Sequence, residues 1–127
     1  MIHLDTSVVI DALTGPGRSG PALRAAIAAG ERVGFCTLVL YEWLRGPRHE
    51  SELHAQEQLF PREQAAPFGP EEGGLAATLY GSVKRPRGRE IDLAIAACAL
   101  AQGATLWTLN PGDFRDVPGL TLYEPAP

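Results

Sequence analysis

Short apolar runs alternate with amphipathic stretches along this chain, which predicts strands interleaved with helices. Ile2-His3-Leu4 begins as a short buried strand and runs into Asp5-Thr6-Ser7, residue types that favour caps and turns. After the glycine-rich turn Gly15–Gly20, Pro21 suits a first helical position, and Ala22–Ala29 reads as an Ala-rich helix closed by Gly30. Val33–Cys36 predicts a second strand. Thr37 then opens a helix that reaches Arg45 and stops at Gly46-Pro47. Glu50–Phe60 predicts a more polar helix with Leu53 and Leu59 turned inward. Ala65–Phe68 predicts a third strand bounded by prolines, and Glu71–Val83 a helix with Leu75, Leu79 and Val83 on one face.

Glu90–Gln102 has the clearest helical period in the chain. Ile91, Ala94, Ile95, Cys98 and Ala99 form one apolar stripe, and Leu93, Ala97 and Leu100 a second. A helix apolar on two sides belongs between layers. Thr105–Thr108 and Leu120–Tyr123 predict a fourth and a fifth strand. The pattern is that of an α/β fold: one three-layer α/β/α domain over residues 1–127, around a central, mainly parallel sheet of about five short strands.

Composition narrows the function classes. With 45% hydrophobic residues the chain can bury a core, yet no apolar run is long enough to span a bilayer. No basic segment precedes an apolar one at the N-terminus, so the protein is expected to be soluble and not exported by a cleaved signal. Cys36 and Cys98 both lie in apolar runs and predict reduced core thiols of a cytoplasmic protein. A formal charge of −4 argues against a uniformly basic nucleic-acid binder. Yet Lys84, Arg85, Arg87 and Arg89 crowd into one loop. An acidic pocket with a basic lip accounts for both facts; a merely solvated loop is the competing reading.

Four acids stand alone in apolar surroundings or at strand ends. Asp5 lies where open parallel sheets bind ligands, though it also suits a helix cap. Glu42 is the one charge from Val33 to Leu44, where burial is costly unless the carboxylate is paired or metal-bound; a surface pair with Arg45 is the alternative. Asp92 is the one charge from Ile91 to Trp107, flanked by Ile91 and Leu93, and also suits a first helical turn. Asp113 follows the fourth strand in a polar turn, Asn110–Asp113, whose chemistry alone explains an acid. Together these acids should converge at the carboxyl edge of the sheet. Oxygen ligands of this kind suit Mg²⁺ or Mn²⁺, which can activate a water against a phosphodiester.

These residues resemble the PIN domain, in particular the VapC-type ribonuclease toxins of bacterial toxin–antitoxin pairs. The resemblance covers essentially the whole chain. It rests on Asp5-Thr6-Ser7, on Tyr41-Glu42-Trp43-Leu44-Arg45-Gly46, on Ile91-Asp92-Leu93-Ala94-Ile95-Ala96-Ala97, and on Thr108-Leu109-Asn110 with Asp113-Phe114. It implies metal-dependent endoribonuclease activity, a homodimer, and inhibition by a small cognate antitoxin that blocks the acidic pocket. By the same resemblance, Asp5, Glu42, Asp92 and Asp113 fall on the metal-binding acids, and Thr6 and Asn110 on polar positions beside them. Asn110 stands where some relatives carry an acid, so its share in the site relative to Asp113 stays open. Lys84, Arg85, Arg87 and Arg89 are the candidate RNA-binding residues.

Other strand-end aspartate chemistries fit less well. A receiver or phosphotransferase domain needs an active-site lysine, and the lone lysine, Lys84, sits in the arginine-rich loop. A haloacid dehalogenase-like enzyme needs a second Asp where this chain has Ser7. His3, His49 and His54 are too scattered for a zinc site. Two alternatives remain: a PIN-type RNA-processing nuclease without an antitoxin, and a non-catalytic PIN-like module in which Trp43 and Leu44 contribute to a partner groove.

Overall fold

Strand β1 (Ile2–Leu4) is the middle of a parallel sheet, between β2 (Val33–Gly34) and β3 (Thr105–Trp107), in a computed structural model that describes residues 1–127. Ile2 stands beside Val33 on one side, and Ile2 to Leu4 beside Thr105 to Trp107 on the other. All three residues of β1 are buried, as a strand flanked on both edges and covered on both faces requires. The pairing closes where the Asp5 amide donates to the Trp107 carbonyl at 2.9 Å. There the chain turns into α1 (Thr6–Leu13).

Five further helices follow: α2 (Ser19–Ala28), α3 (Thr37–Arg45), α4 (Glu50–Leu59), α5 (Pro70–Ser82) and α6 (Glu90–Ala101). Single 3₁₀ turns cover Arg62–Gln64 and Pro111–Asp113. The start of α2 is set by tertiary contact and not by Pro21, since the Ser19 amide is taken by Asp11 Oδ2 at 2.8 Å. Every residue of α6 from Leu93 to Ala99 is buried. That helix packs against α5, α3 and β3, and its alanines permit the close approach. Its burial is that of an interior helix, apolar around most of its circumference. Ile91, which the apolar stripe would place inside, is 47% exposed at the helix start. One cluster of 23 buried residues runs from Ile2 to Val117, with Trp43 and Phe114 its largest wholly buried side chains.

The sheet has three strands, not about five. Ala65–Phe68 and Leu120–Tyr123 do run parallel to it, but each touches it through one residue, Ala66 beside Cys36 and Leu122 beside Leu106. The first cannot lengthen because its neighbour turns into α3 at Thr37. The Phe68 amide accordingly donates to the Thr37 hydroxyl at 3.2 Å instead of to a strand carbonyl. Upstream, Arg62–Gln64 has already coiled into its 3₁₀ turn, and Pro67 has no N–H to offer. The second lies between Pro118-Gly119 and Pro125, which leave room for a single bridge.

Helix α4 also departs from its pattern. Leu59 is 42% exposed, whereas Gln56 is wholly buried and donates from Nε2 to the Phe60 carbonyl at 2.9 Å. The inward place near the helix end goes to Phe60, whose ring meets Phe35 with centroids 5.3 Å apart. Gln56 then satisfies the carbonyl that the end of the helix leaves open. No helix is long and apolar enough to cross a membrane.

Candidate active site

The carboxyl ends of β1 and β3 bring Asp5 and Thr108 side by side. The Thr108 hydroxyl donates to Asp5 Oδ2 at 2.7 Å, and the Ser7 hydroxyl donates to the same oxygen at 2.8 Å. Asp5 occupies the N-cap position of α1, yet its side chain makes no capping hydrogen bond. It is 5% exposed, forms no ion pair, and no protein donor reaches Oδ1. A buried carboxylate without a cation is costly, so the two hydroxyls offset only part of what Asp5 loses on leaving water. Ser7 in turn accepts from the Leu109 amide at 3.1 Å, and Thr108 from the Asn110 amide at 3.0 Å. Each hydroxyl that faces Asp5 is therefore oriented by the backbone beyond β3.

Glu42 enters from α3. The Thr6 hydroxyl donates to its Oε1 at 2.6 Å, and Arg45 stands 3.6 Å from its Oε2. The surface pair with Arg45 is present, and the same carboxylate is also fixed to the residue next to Asp5. Trp43, by contrast, is wholly buried, which withdraws it from any partner groove.

Asp92 lies in the first turn of α6 with no hydrogen-bond donor of its own. Burial, and then the charges of Asp5, Asp113 and Glu42, push its pKa from an ordinary 3.8 up to about 6, while Arg89 draws it down. This shared field places the four acids in one neighbourhood. Their side chains are not drawn together: no three acidic, histidine or cysteine side chains stand close enough to hold a metal ion between them. A hollow of about 310 Å³ opens among Glu42, Gly88, Glu90, Ile91 and Asp92. Asp5 and Asp113 do not line it. Glu90, the first residue of α6, does. A larger hollow of about 360 Å³ lies against β2 and is lined by Val33, Phe35, Leu59 and Phe60 among others, with no carboxylate.

The 3₁₀ turn carrying Asp113 begins just after Asn110, and both residues are exposed. Lys84, Arg85 and Arg87 are exposed as well. Arg89 is not one of their kind. Its guanidinium grips Asp116 at 2.9 and 2.6 Å, donates to the Asp113 carbonyl at 2.8 Å and reaches the Arg85 carbonyl at 3.3 Å. Asp116 holds the guanidinium pKa above its usual value, and is itself held low by it. Ser7, Thr108 and Asp116 are supporting residues to which sequence reasoning gave no role, and Arg89, expected to bind RNA, is paired with Asp116 instead. The hydroxyls lay within the motifs, but nothing in the spacing distinguishes a hydroxyl facing a carboxylate from one facing solvent. The histidines do not gather: His3 is buried in β1, where burial lowers its pKa, while His49 and His54 are exposed.

A family model described as the PIN domain matches residues 2–120. The chain is 34% identical over 124 residues to Ribonuclease VapC19 of Mycobacterium tuberculosis, covering 92% of this chain and 94% of that protein. Among solved structures it resembles VapBC2 from Rickettsia felis bound to a promoter DNA fragment, with a TM-score of 0.76 and 23% identity over 99% of this chain and 100% of that one. It also resembles DNA-bound VapBC from Salmonella typhimurium, with a TM-score of 0.79 and 18% identity over 96% of each chain. At those identities the structural likeness speaks to the fold.

Proposed function

The chain belongs to the PIN-domain family, and we propose that it is a VapC-like, metal-dependent endoribonuclease, the toxin of a toxin–antitoxin pair. Asp5 carries this reading: a buried carboxylate with hydroxyls fixed on one oxygen, no donor on the other and no cation beside it. The donor set fits a hard divalent ion, because every candidate ligand is a carboxylate oxygen. Asp5, Glu42, Asp92 and Asp113 would hold Mg²⁺ or Mn²⁺, with Asn110 beside Asp113. When bound, such an ion supplies Lewis-acid polarisation of the phosphodiester and lowers the pKa of an attacking water.

The protein's own groups do the rest. Ser7 and Thr108 hold Asp5 in one orientation, and Thr6 does the same for Glu42. In the metal-free protein, burial and the neighbouring carboxylates hold the Asp92 pKa up at about 6, and a bound cation would favour the ionised carboxylate. Exposed Lys84, Arg85 and Arg87 hold the RNA backbone beside the hollow that opens at Gly88. Arg89 is left out of that role by its bonds to Asp116. The name of the mycobacterial relative supports RNA as substrate. The VapBC complexes among the structural neighbours support a small antitoxin as partner; that the protein is a homodimeric, single-domain cytoplasmic one is part of the same proposal. The test is to map cleavage in total RNA after brief expression, wild type beside Asp5→Asn. Cuts present in both, or in neither, overturn the proposal.

Two predictions arise here. Attack by an activated water needs no 2′-hydroxyl, and the histidines are scattered, so products should carry 5′-phosphate and 3′-hydroxyl ends. Mass spectrometry of a cleaved oligonucleotide checks this, and a 2′,3′-cyclic phosphate would refute it. For the loop, Arg85→Ala with Arg87→Ala should weaken RNA binding and lower the salt slope by up to ~2, leaving the cut site unchanged. Binding titrations at several salt concentrations read the slope; an unchanged value makes the loop a solvated one.

A further inference from the structure

The geometry points to Arg89 as a positioning residue that fixes Asp113 relative to Asp92, and through that spacing sets how tightly the pocket holds a divalent cation; this rests on the metal-dependent reading above. Arg89 is welded to the start of α6, since its carbonyl accepts the first helical bond from the Leu93 amide at 2.9 Å. Asp92 lies on that same turn. From there the guanidinium crosses to the segment after β3 and binds it at three atoms: both Asp116 oxygens and the Asp113 carbonyl. The turn carrying Asp113 is otherwise closed on itself, with Asp113 and Phe114 amides donating to Asn110 and Pro111 carbonyls, and Phe114 anchored in the core. Those bonds shape the turn but do not orient it towards α6. Arg89 does. The Arg89 side chain is only 19% exposed, and its Nε is buried without a partner, an arrangement that the remaining bonds must sustain.

Charge and geometry make opposite predictions at this position, which renders the inference testable. A cation near an anionic pocket repels a second cation, so as a mere counter-charge Arg89 would weaken metal binding, and its removal would tighten it. As a clamp it supports the ligands, and its removal should weaken binding about tenfold, the lower end of what losing an outer-shell partner does to metal affinity. The measurement is Mn²⁺ affinity, read by electron paramagnetic resonance on the full chain without RNA. It compares wild type with Arg89→Met, Arg89→Lys, Asp116→Asn and Asp92→Asn. Arg89→Met should bind Mn²⁺ about tenfold more weakly, and Arg89→Lys also more weakly, because a point charge lacks the fork that spans two oxygens and a carbonyl. Affinity equal to or above wild type in Arg89→Met, or unchanged in Arg89→Lys, overturns the clamp. Should Arg89→Met not fold, Asp116→Asn tests the same bonds from an exposed partner, and unchanged affinity there is equally fatal. Mn²⁺ binding that survives Asp92→Asn overturns the metal reading itself, and the inference with it. Binding lost in Asp92→Asn but kept in the Arg89 and Asp116 variants overturns the inference alone.

Discussion

Asp5→Asn should reduce metal-dependent RNA cleavage by at least about a hundredfold, roughly 2.7 kcal/mol of transition-state stabilisation, while leaving the fold intact. The expectation of intact folding comes from the hydrogen bonds. An asparagine oxygen can still accept from the Ser7 and Thr108 hydroxyls, and a neutral amide loses less than a carboxylate does when buried at 5% exposure. The substitution removes the oxygen charge that no protein cation balances and little else. Single-turnover cleavage with Mn²⁺ in excess, beside a melting curve in EDTA, separates the two effects. Turnover within a few-fold of wild type would mean that Asp5 is a structural acid after all. Lost activity with a collapsed melting curve would show that its role is in the fold.

Replacing Asp92 with Asn should act in opposite directions on the metal-free and metal-loaded protein. With a folded pKa of about 6 against an ordinary 3.8, native Asp92 binds its proton more tightly than the unfolded chain does. The native state therefore carries more bound protons between those values, and stability falls as pH rises from about 4 through about 6. Above that window the loss is complete. Because the side chain is only partly buried, solvent screening leaves the effect at about 1–2 kcal/mol. In EDTA at pH 7.5, Asp92→Asn should recover that loss and melt about 3–8 °C higher, whereas at pH 4 the two proteins should melt nearly together. Mn²⁺ at a hundredfold excess over Kd should stabilise wild type by about 2.7 kcal/mol and the variant by much less. Melting curves at both pH values, with EDTA or Mn²⁺, test this. Four unrelated structural acids would give a variant that is simply less stable and an Mn²⁺ response near zero.

The legible parts of the site were those that solvation alone makes conspicuous. A carboxylate isolated among Leu38, Val39, Leu40 and Trp43, or following a buried strand as Asp5 does, is conspicuous because burial without a partner is so unfavourable. Helix α6 was legible for the same reason in reverse, since its apolar circumference leaves it only an interior place. What failed was whatever depends on the partner and not on the residue. Ala65–Phe68 has a strand's composition, but its neighbour bends into α3 at Thr37, and composition does not record where a neighbour bends. Leu59, expected inward, is exposed because Phe60 fills the inward site at the end of α4. The Lys84–Arg89 loop reads in sequence as one basic patch. In the fold, Arg89 belongs to Asp116, 27 residues downstream, and only packing reveals which charge is committed.

The central position of β1 makes the Asp5 environment depend on residues from both ends of the chain. The bond from Thr6 to Glu42 spans 36 residues, but the one from Thr108 to Asp5 spans 103. Helix pairs such as α5 and α6 can form from local contacts as the chain emerges, whereas β1 waits for β3 to complete its second edge, at the loop-closure cost that so distant a pairing carries. A nascent chain released before Trp107 thus contains Asp5, Glu42 and Asp92 without the strand that brings Thr108 against Asp5. Under the proposed function, abortive translation products lack an assembled nuclease, and only a nearly finished chain carries the complete Asp5 environment.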